Sequence, residues 1–218
     1  MKKVFIGIPN TGTVVAPLAE MICYWVAQQT VAIVPYFSKY HKPMMFNRNH
    51  IVNQFLKTDC EYLLWIDDDV VPPPDALIKL ISHEVDAVSA TCFCVRPDDN
   101  GVVLPYPVVM KDAPNGEFNI YYPTKPLDEI DACGGGCILV HRRVYEHPEM
   151  KIPYQHGIKE NGELGMTCDF AIWRRAKKLG FKLYVDGTVY CSHIREFDLK
   201  QFNDTLIITS PQGQAVNG

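Results

Sequence analysis

The stretch Tyr62-Leu63-Leu64-Trp65-Ile66-Asp67-Asp68-Asp69 decides the fold predicted for this chain. Its first five residues are apolar without interruption, a pattern typical of a parallel strand that is covered on both faces. Three carboxylates follow directly, and open α/β sheets bind their ligands outside the carboxyl ends of the strands. The stretch therefore predicts a buried central strand that carries an acidic site at the edge of a parallel sheet.

The segments before and after this strand alternate between two apolar patterns. Short apolar runs predict strands at 4–8, 31–37, 62–66 and 86–94, and apolar faces with helical spacing predict helices at 18–29, 47–57 and 75–81. This β-α-β-α-β-α-β order indicates an α/β fold, a Rossmann-like half with a parallel sheet and right-handed crossovers. The run 4–8 is too short for a signal peptide, so we expect it to be the first buried strand.

The remaining chain is less regular. Residues 96–127 are rich in Pro, Gly, Asp and Asn, which predicts a binding loop or a small irregular sheet. Regular structure is predicted again at 130–140, as a helix at 169–179, and as short strands at 182–185 and 188–192. A chain of 218 residues can bury one sizeable core. We therefore expect a single domain over 1–208 and a frayed, flexible tail over 209–218.

Composition restricts the class of protein. The net charge of −4 supplies no general attraction to nucleic acid. No segment reaches the roughly 18 consecutive apolar residues needed to cross a bilayer, so we expect no transmembrane segment and a cytoplasmic location. The eight cysteines lack the paired CxxC spacing of structural zinc sites. They are expected to be free and mostly buried thiols in a reducing compartment.

The acidic triplet itself predicts a metal site. Asp67, Asp68 and Asp69 repel one another, and without a partner they would destabilise the fold. A divalent cation removes this conflict, and carboxylate oxygens suit Mg²⁺ or Mn²⁺, which also bind phosphate oxygens. The alternative is a solvated acidic turn that caps the helix after Pro72-Pro73-Pro74.

The run Leu63-Leu64-Trp65-Ile66-Asp67-Asp68-Asp69-Val70-Val71-Pro72 resembles the DxD segment of GT-A-fold glycosyltransferases, especially family-2-like members from viruses and phages. The resemblance implies a mostly parallel central sheet flanked by helices, with a smaller acceptor-side region. It divides the chain into a nucleotide-sugar-binding half, 1–95, and an acceptor-side half, 96–208. It also implies that Asp67 and Asp68 bind the donor, and that Asp69, with Asp67, binds the metal on the diphosphate.

Two further segments of the first half match donor-binding positions of that family. Pro9, Asn10 and Thr11 end the first strand, where the resemblance places the nucleobase and ribose pocket. Arg48 begins the second predicted helix, near the diphosphate in the family. A guanidinium beside a helix N-terminus suits phosphate oxygens, and the alternative is a surface arginine.

The glycine triplet Gly134, Gly135 and Gly136 precedes an apolar strand. Without side chains, these residues let the backbone approach a ligand closely, and the segment resembles the glycine-rich stretch beneath the family's donor sugar. A flexible turn or bulge is the alternative.

Two positions of the second half match the family's catalytic and metal-binding positions. Asp169 begins the predicted helix 169–179, and the resemblance makes it the base that deprotonates the acceptor. Cys168 replaces the family's usual Glu before this Asp, and a helix cap is the alternative role for Asp169. His193 matches a third metal ligand, although a lone His is more often a core or surface residue.

Together these positions predict a metal-dependent glycosyltransferase, with a UDP-sugar favoured as donor and inversion expected. The hydroxyl acceptor is a glycan or a hydroxymethylated base in viral DNA, in which case the location is the host cytoplasm; the oligomeric state stays open. One alternative is a sugar nucleotidyltransferase, although the loop 9–13 lacks the Lys or Arg of such enzymes. The other alternative is a non-catalytic carbohydrate-binding module.

Overall fold

The computed structural model describes residues 1–10, 12–39, 43–97 and 103–195. Thr11 and the predicted tail 209–218 lie outside the described residues.

The strands are β1 (Lys3–Asn10), β2 (Ala32–Lys39), β3 (Tyr62–Ile66), β4 (Val70–Val71), β5 (Ala87–Thr91), β6 (Phe93–Pro97), β7 (Val103–Pro107), β8 (Val109–Asp112), β9 (Phe118–Ile120), β10 (Asp128–Ile130), β11 (Ala132–Cys133), β12 (Cys137–His141), β13 (Gly157–Ile158), β14 (Leu164–Met166), β15 (Leu183–Tyr190) and β16 (Ser192–His193). The α-helices are α1 (Ala16–Gln28), α2 (Met44–Phe55), α3 (Ala76–Ser82), α4 (Arg142–Glu146) and α5 (Cys168–Lys178).

A seven-stranded sheet in the order β10-β15-β5-β12-β3-β1-β2 forms the centre of the fold. Strand β1 pairs in parallel with β2 and with β3, and β15 pairs in parallel with β5. Strand β12 is antiparallel to both β3 and β5, and β10 is antiparallel to β15. The predicted α/β class and mostly parallel sheet are confirmed.

Helices cover both faces of this sheet. On one face α2, α4 and α5 pack against Leu63 and Trp65 of β3. On the other face α1 and α3 pack against Leu64 and Ile66. Because successive side chains of a strand point to opposite faces, the apolar run of β3 supplies both cores at once. All five residues of β3 are buried, as the sequence predicts.

Several boundaries in the irregular regions differ from the prediction. Strand β12 lies between β3 and β5, the third and fourth strands of the predicted order. The segment 130–140 is interrupted by the glycine triplet. The two closing strands are one strand, β15, which is irregular between Asp186 and Tyr190. The region 96–127 contributes β7 to the hairpin β6–β7, and β8 and β9 to a small sheet with β11, which matches the predicted irregular sheet.

All eight cysteines lie within the described residues and are free thiols; five are buried and only Cys23 is exposed. Among the described helices, none combines the length and the apolar character that a membrane span needs.

Candidate active site

The acidic triplet lies at the carboxyl end of β3, where backbone hydrogen bonds connect it to the glycine triplet and to the segment that contains His193. The Asp67 N–H donates to the Gly136 carbonyl at 3.0 Å, and the Ile194 N–H donates to the Asp69 carbonyl at 2.9 Å. Strand β4, directly after the triplet, pairs with β16, so that Val70 lies opposite His193. The structure therefore brings together segments that are far apart in the sequence.

Arg48 joins the two carboxylates to which the sequence analysis gives donor-binding and catalytic roles. Its Nη2 donates to Asp67 Oδ1 at 3.0 Å, and its Nε lies 2.9 Å from Asp169 Oδ1. The Asp67 and Asp169 side chains remain 32% and 28% exposed, whereas the Arg48 side chain is 2% exposed. The two carboxylates thus face solvent on top of a buried cation.

The burial of Arg48 follows from its position on α2. Arg48 shares a face of the helix with Ile51, Val52 and Phe55, all of which are buried. These positions have the i, i+3, i+4, i+7 spacing of a core-facing helix stripe. A cation in an apolar stripe is a signal of a buried ion pair, and this signal distinguishes Arg48 from a surface arginine.

The surroundings of Arg48 are aromatic on one side and backbone on the other. Its Cζ lies 5.1 Å from the centroid of Trp65 and 5.7 Å from that of Tyr154. Trp65 Nε1 donates to Tyr145 Oη at 2.8 Å, and this hydroxyl lies 3.1 Å from that of Tyr154. A Cβ built on Gly135 would lie 2.5 Å from Arg48 Cζ. The guanidinium consequently has little freedom to move.

Burial and neighbouring charges both shift the pKa values of Asp67 and Arg48. Burial raises the pKa of Asp67 above its ordinary value, and the charges of Asp169 and Asp69 add to that increase, while Arg48 acts against it. Burial acts to lower the pKa of Arg48, but Asp169 and Asp67 more than compensate, so it lies above its ordinary value. Arg48 therefore stays charged, and its charge acts against the increase in the pKa of Asp67.

Asp69 and His193 form a second pair beside the first. His193 Nε2 lies 3.2 Å from Asp69 Oδ1, and Arg195 Nη1 lies 3.1 Å from Asp69 Oδ2. His193 Nδ1 lies 2.7 Å from the Phe93 carbonyl oxygen. That oxygen can only accept, so Nδ1 carries the hydrogen and Nε2 points toward Asp69. Metal-binding histidines are oriented in this way by a second hydrogen bond.

The chemistry of the Asp69 and His193 pair fits one side of a Mn²⁺ or Mg²⁺ site. A carboxylate oxygen and an imidazole nitrogen are suitable ligands for Mn²⁺, and their 3.2 Å separation lets both approach one ion. Within the described residues, no group of three or more His, Cys, Asp or Glu side chains is arranged to hold a metal. Asp67, the third predicted ligand, is bonded to Arg48 instead.

The remaining predicted donor-binding residues lie around the same edge of the sheet. Pro9 and Asn10 end β1 and are buried, and Asn10 Oδ1 accepts from the Gly12 N–H at 2.9 Å. The Asp68 carbonyl accepts from the Val15 N–H at 3.0 Å, which ties the triplet to the start of α1. The end of the first strand and the acidic triplet thus form one continuous edge.

Each glycine of the triplet packs against protein atoms. A Cβ on Gly134 would lie 2.9 Å from Val108 Cγ1, and one on Gly136 would lie 3.1 Å from Cys92 Sγ. At Gly135 the obstruction is the guanidinium of Arg48. The absence of side chains is therefore required by the packing of the site's own floor.

Asp169 is the second residue of α5, and Thr167 is the cap residue. Its carboxylate contacts Arg48, so the role of a helix cap does not describe it. A carboxylate in the first turn of a helix is also stabilised by the helix dipole.

Two further residues support the site. Asn49, next to Arg48, holds the segment that contains Tyr154, because its Nδ2 donates to the Tyr154 carbonyl at 2.8 Å and its Oδ1 accepts from the Tyr154 N–H at 3.0 Å. Arg195, for which no role was predicted, pairs with Asp69. Neither contact has a local sequence signal, because each residue acts on one that is distant along the chain.

Comparison with known proteins shows the fold. No protein-family model and no curated protein sequence matches the chain. Protein A197 from STIV is similar in structure, with a TM-score of 0.54 and 19% identity over 90% of this chain and 87% of A197. GalNAc-T7, solved with UDP, GalNAc and Mn²⁺, is similar with a TM-score of 0.54 and 10% identity. This likeness covers 90% of the chain but 44% of GalNAc-T7. The chain has a GT-A-like glycosyltransferase fold.

Proposed function

We propose that this GT-A-like chain is a metal-dependent glycosyltransferase that moves a sugar from a nucleotide-diphosphate sugar to a hydroxyl acceptor. The observation that carries the proposal is the convergence of two pairs, Asp67 with Asp169 through Arg48 and Asp69 with His193, at one edge of the sheet. Ligands of open α/β sheets bind at this edge. Similarity to GalNAc-T7, whose structure contains UDP and Mn²⁺, supports a UDP-sugar as donor.

In this proposal the donor lies along the edge formed by β1, the acidic triplet and the glycine triplet. Pro9 and Asn10 would contact the nucleoside, and Asp67 and Asp68 would bind the rest of the nucleotide. The same nucleoside contact is proposed for Thr11, which lies outside the described residues. Gly134, Gly135 and Gly136 form the floor beneath the sugar. A Cβ on any of these glycines would lie too close to its protein neighbours, so this segment has no room for side chains.

Asp69 and His193 would hold a Mn²⁺ or Mg²⁺ ion, with Asp67 close by on the same turn. Such a metal supplies a positive charge that stabilises the negative charge developing on the leaving diphosphate. The Phe93 carbonyl fixes the ring of His193, and so prepares Nε2 for this task.

Asp169 would act as the general base. The acceptor hydroxyl oxygen forms a bond to the anomeric carbon, the bond from that carbon to the diphosphate oxygen breaks, and the hydroxyl proton moves to Asp169. Arg48 Nε lies 2.9 Å from Asp169 Oδ1 and so holds this carboxylate in place. A base on the acceptor side favours direct displacement with inversion. The acceptor is a glycan or a hydroxymethylated base in viral DNA.

The proposal is tested first by binding. Thermal shift with a panel of nucleotide sugars is expected to show one donor class that raises Tm in Mn²⁺ and not in EDTA. Metal-independent stabilisation by a sugar without turnover would instead support a carbohydrate-binding module.

Turnover of the best ligand is then measured. Nucleoside diphosphate release is expected from the wild type, and Asp169→Asn is expected to reduce it by about 10²-fold or more, the usual scale for loss of a general base. Asp112→Asn is the matched control, because Asp112 is an exposed carboxylate that pairs with Lys177. Normal turnover of Asp169→Asn contradicts the assignment of the base, and release of pyrophosphate indicates a nucleotidyltransferase.

A further inference from the structure

Arg48 is enclosed too completely to act as an ordinary phosphate-binding arginine. Its side chain is 2% exposed, and its Nε and Nη1 atoms have almost no solvent-accessible surface. Neither of these two nitrogens has a hydrogen-bond partner among the described residues, since the Nε contact with Asp169 is an ion pair without hydrogen-bond alignment. A donor phosphate above the site would meet Asp67 and Asp169 before it reached the guanidinium.

The guanidinium instead connects three separate elements of the fold. Arg48 belongs to α2, Asp67 follows β3, and Asp169 begins α5. A planar guanidinium holds its nitrogens in a fixed arrangement, so its position determines the separation of the two carboxylates that contact it. The contacts of 3.0 Å to Asp67 and 2.9 Å to Asp169 use two different nitrogens of this group.

We infer that Arg48 is a positioning residue that acts through Asp67 and Asp169, holding the donor-side carboxylate and the catalytic base at a fixed separation. The inference rests on the proposed function for the roles of the two carboxylates. Arg48 then does not contact the diphosphate. It affects donor binding through Asp67 and proton transfer through Asp169.

The walls around Arg48 support a role that needs a rigidly held guanidinium. Trp65 and Tyr154 lie 5.1 and 5.7 Å from Cζ, and Gly135 lies against the guanidinium with no room for a Cβ. Lysine carries its charge on one compact ammonium group and cannot reproduce two contacts in fixed directions. Arg48→Lys therefore keeps the charge but loses the geometry, whereas Arg48→Met loses both.

The first test is thermal unfolding, which does not depend on turnover. Arg48→Met leaves two carboxylates without their buried cation, and is expected to lower Tm by about 10 °C. The change in Tm caused by Asp169→Asn is expected to be about 5 °C more positive in the Arg48→Met background than in the wild type. The same difference is expected for Asp67→Asn. The control Asp112→Asn should have the same effect in both backgrounds. Equal effects of Asp169→Asn in both backgrounds overturn the coupling.

The second test separates positioning from general destabilisation. Arg48→Lys is expected to lower kcat for transfer by about 10²-fold, the scale of a catalytic group misplaced by about 1 Å. In the Asp67→Asn/Asp169→Asn background the same change should lower kcat by less than about threefold, because a residue that acts through these two carboxylates has no further effect once both are replaced. A full 10²-fold loss in that background would show that Arg48 acts directly and would overturn the inference.

Arg142→Lys is the matched arginine control. Arg142 donates to the carbonyls of Leu56, Thr58 and Cys60 after the end of α2. This change should lower Tm by a few degrees and leave kcat per folded molecule within about twofold. If the wild type releases no nucleoside diphosphate with any donor, the proposed function fails, and the unfolding measurements still decide whether Arg48 couples the two carboxylates.

Discussion

Gly135→Ala is expected to destabilise the protein through Arg48. An added Cβ would lie 2.5 Å from Cζ and 2.8 Å from Nη1 of the guanidinium, closer than real Cβ contacts allow. The end of an arginine side chain is usually able to move away. Here the rings of Trp65 and Tyr154 occupy the space into which the Arg48 guanidinium would move. Any such movement also breaks its 3.0 Å hydrogen bond to Asp67.

The size of the effect follows from these two contributions. Inserting a carbon into a packed region costs about 1–3 kcal/mol, and losing a hydrogen bond to a charged group costs about 1.5–3 kcal/mol. Because the Asp67 side chain is 32% exposed, the loss of its hydrogen bond costs an amount near the lower limit of this range. The total is about 3 kcal/mol, which lowers Tm by about 6–12 °C in a domain of this size.

Urea or thermal unfolding of Gly135→Ala and Gly165→Ala measures this difference. Gly165 lies in β14, where the nearest atom to an added Cβ is Lys159 Cγ at 2.9 Å, on an exposed and flexible side chain. Both changes reduce the entropy of the unfolded chain equally, so that effect cancels in the comparison. If Gly135→Ala is as stable as Gly165→Ala, the described packing of Arg48 is wrong.

Three further predictions concern a ligand, a pH and a helix end. Asp69→Asn should reduce the Mn²⁺-dependent gain in donor affinity by at least tenfold in calorimetry, while metal-independent binding stays unchanged. His83 and Thr188 bond to Asp186 and lower its pKa despite the opposing effect of burial. Asp186 thus stabilises the fold above its unfolded pKa of about 4, and urea titrations should show this stability lost as pH falls below that value, but not in Asp186→Asn. Arg142→Ala should cost about 2 kcal/mol in chemical denaturation, because carbonyls after α2 lose their donor.

The sequence predicts well those parts of the fold that depend on local pattern. Strand β3 has the predicted bounds, because five consecutive apolar residues followed by three carboxylates leave little choice of boundary. The helices α2 and α5 are within three residues of their predicted ends, because their apolar faces repeat with helical period. The acidic turn at the edge of the sheet follows from the same reasoning.

Features that depend on pairing between distant segments were not predictable in this way. Strand β12 lies between β3 and β5, although nothing in residues 137–141 specifies their neighbours. Gly187 in β15 donates its N–H to the Lys125 carbonyl at 3.0 Å, and an added Cβ would lie 2.6 Å from that oxygen; no local pattern specifies this contact.

The candidate site shows the same division between local and distant signals. The carboxylates are evident from the sequence, whereas the buried cation between them requires α2, β3 and α5 to be placed together. Arg48 did carry a local signal, since it occupies the apolar stripe of α2. That signal identifies burial but not the partners, which is why its role changes when the structure is known.

The metal-dependent mechanism is tested most clearly by a crystal structure of the wild-type protein with a UDP-sugar and Mn²⁺, in which the anomalous signal of manganese locates the ion. We expect one manganese peak within about 2.3 Å of both an Asp69 oxygen and His193 Nε2, with diphosphate density beside it and Arg48 still beneath Asp67 and Asp169. Donor density at this edge without manganese at Asp69, or manganese bound elsewhere, would contradict the metal-dependent mechanism.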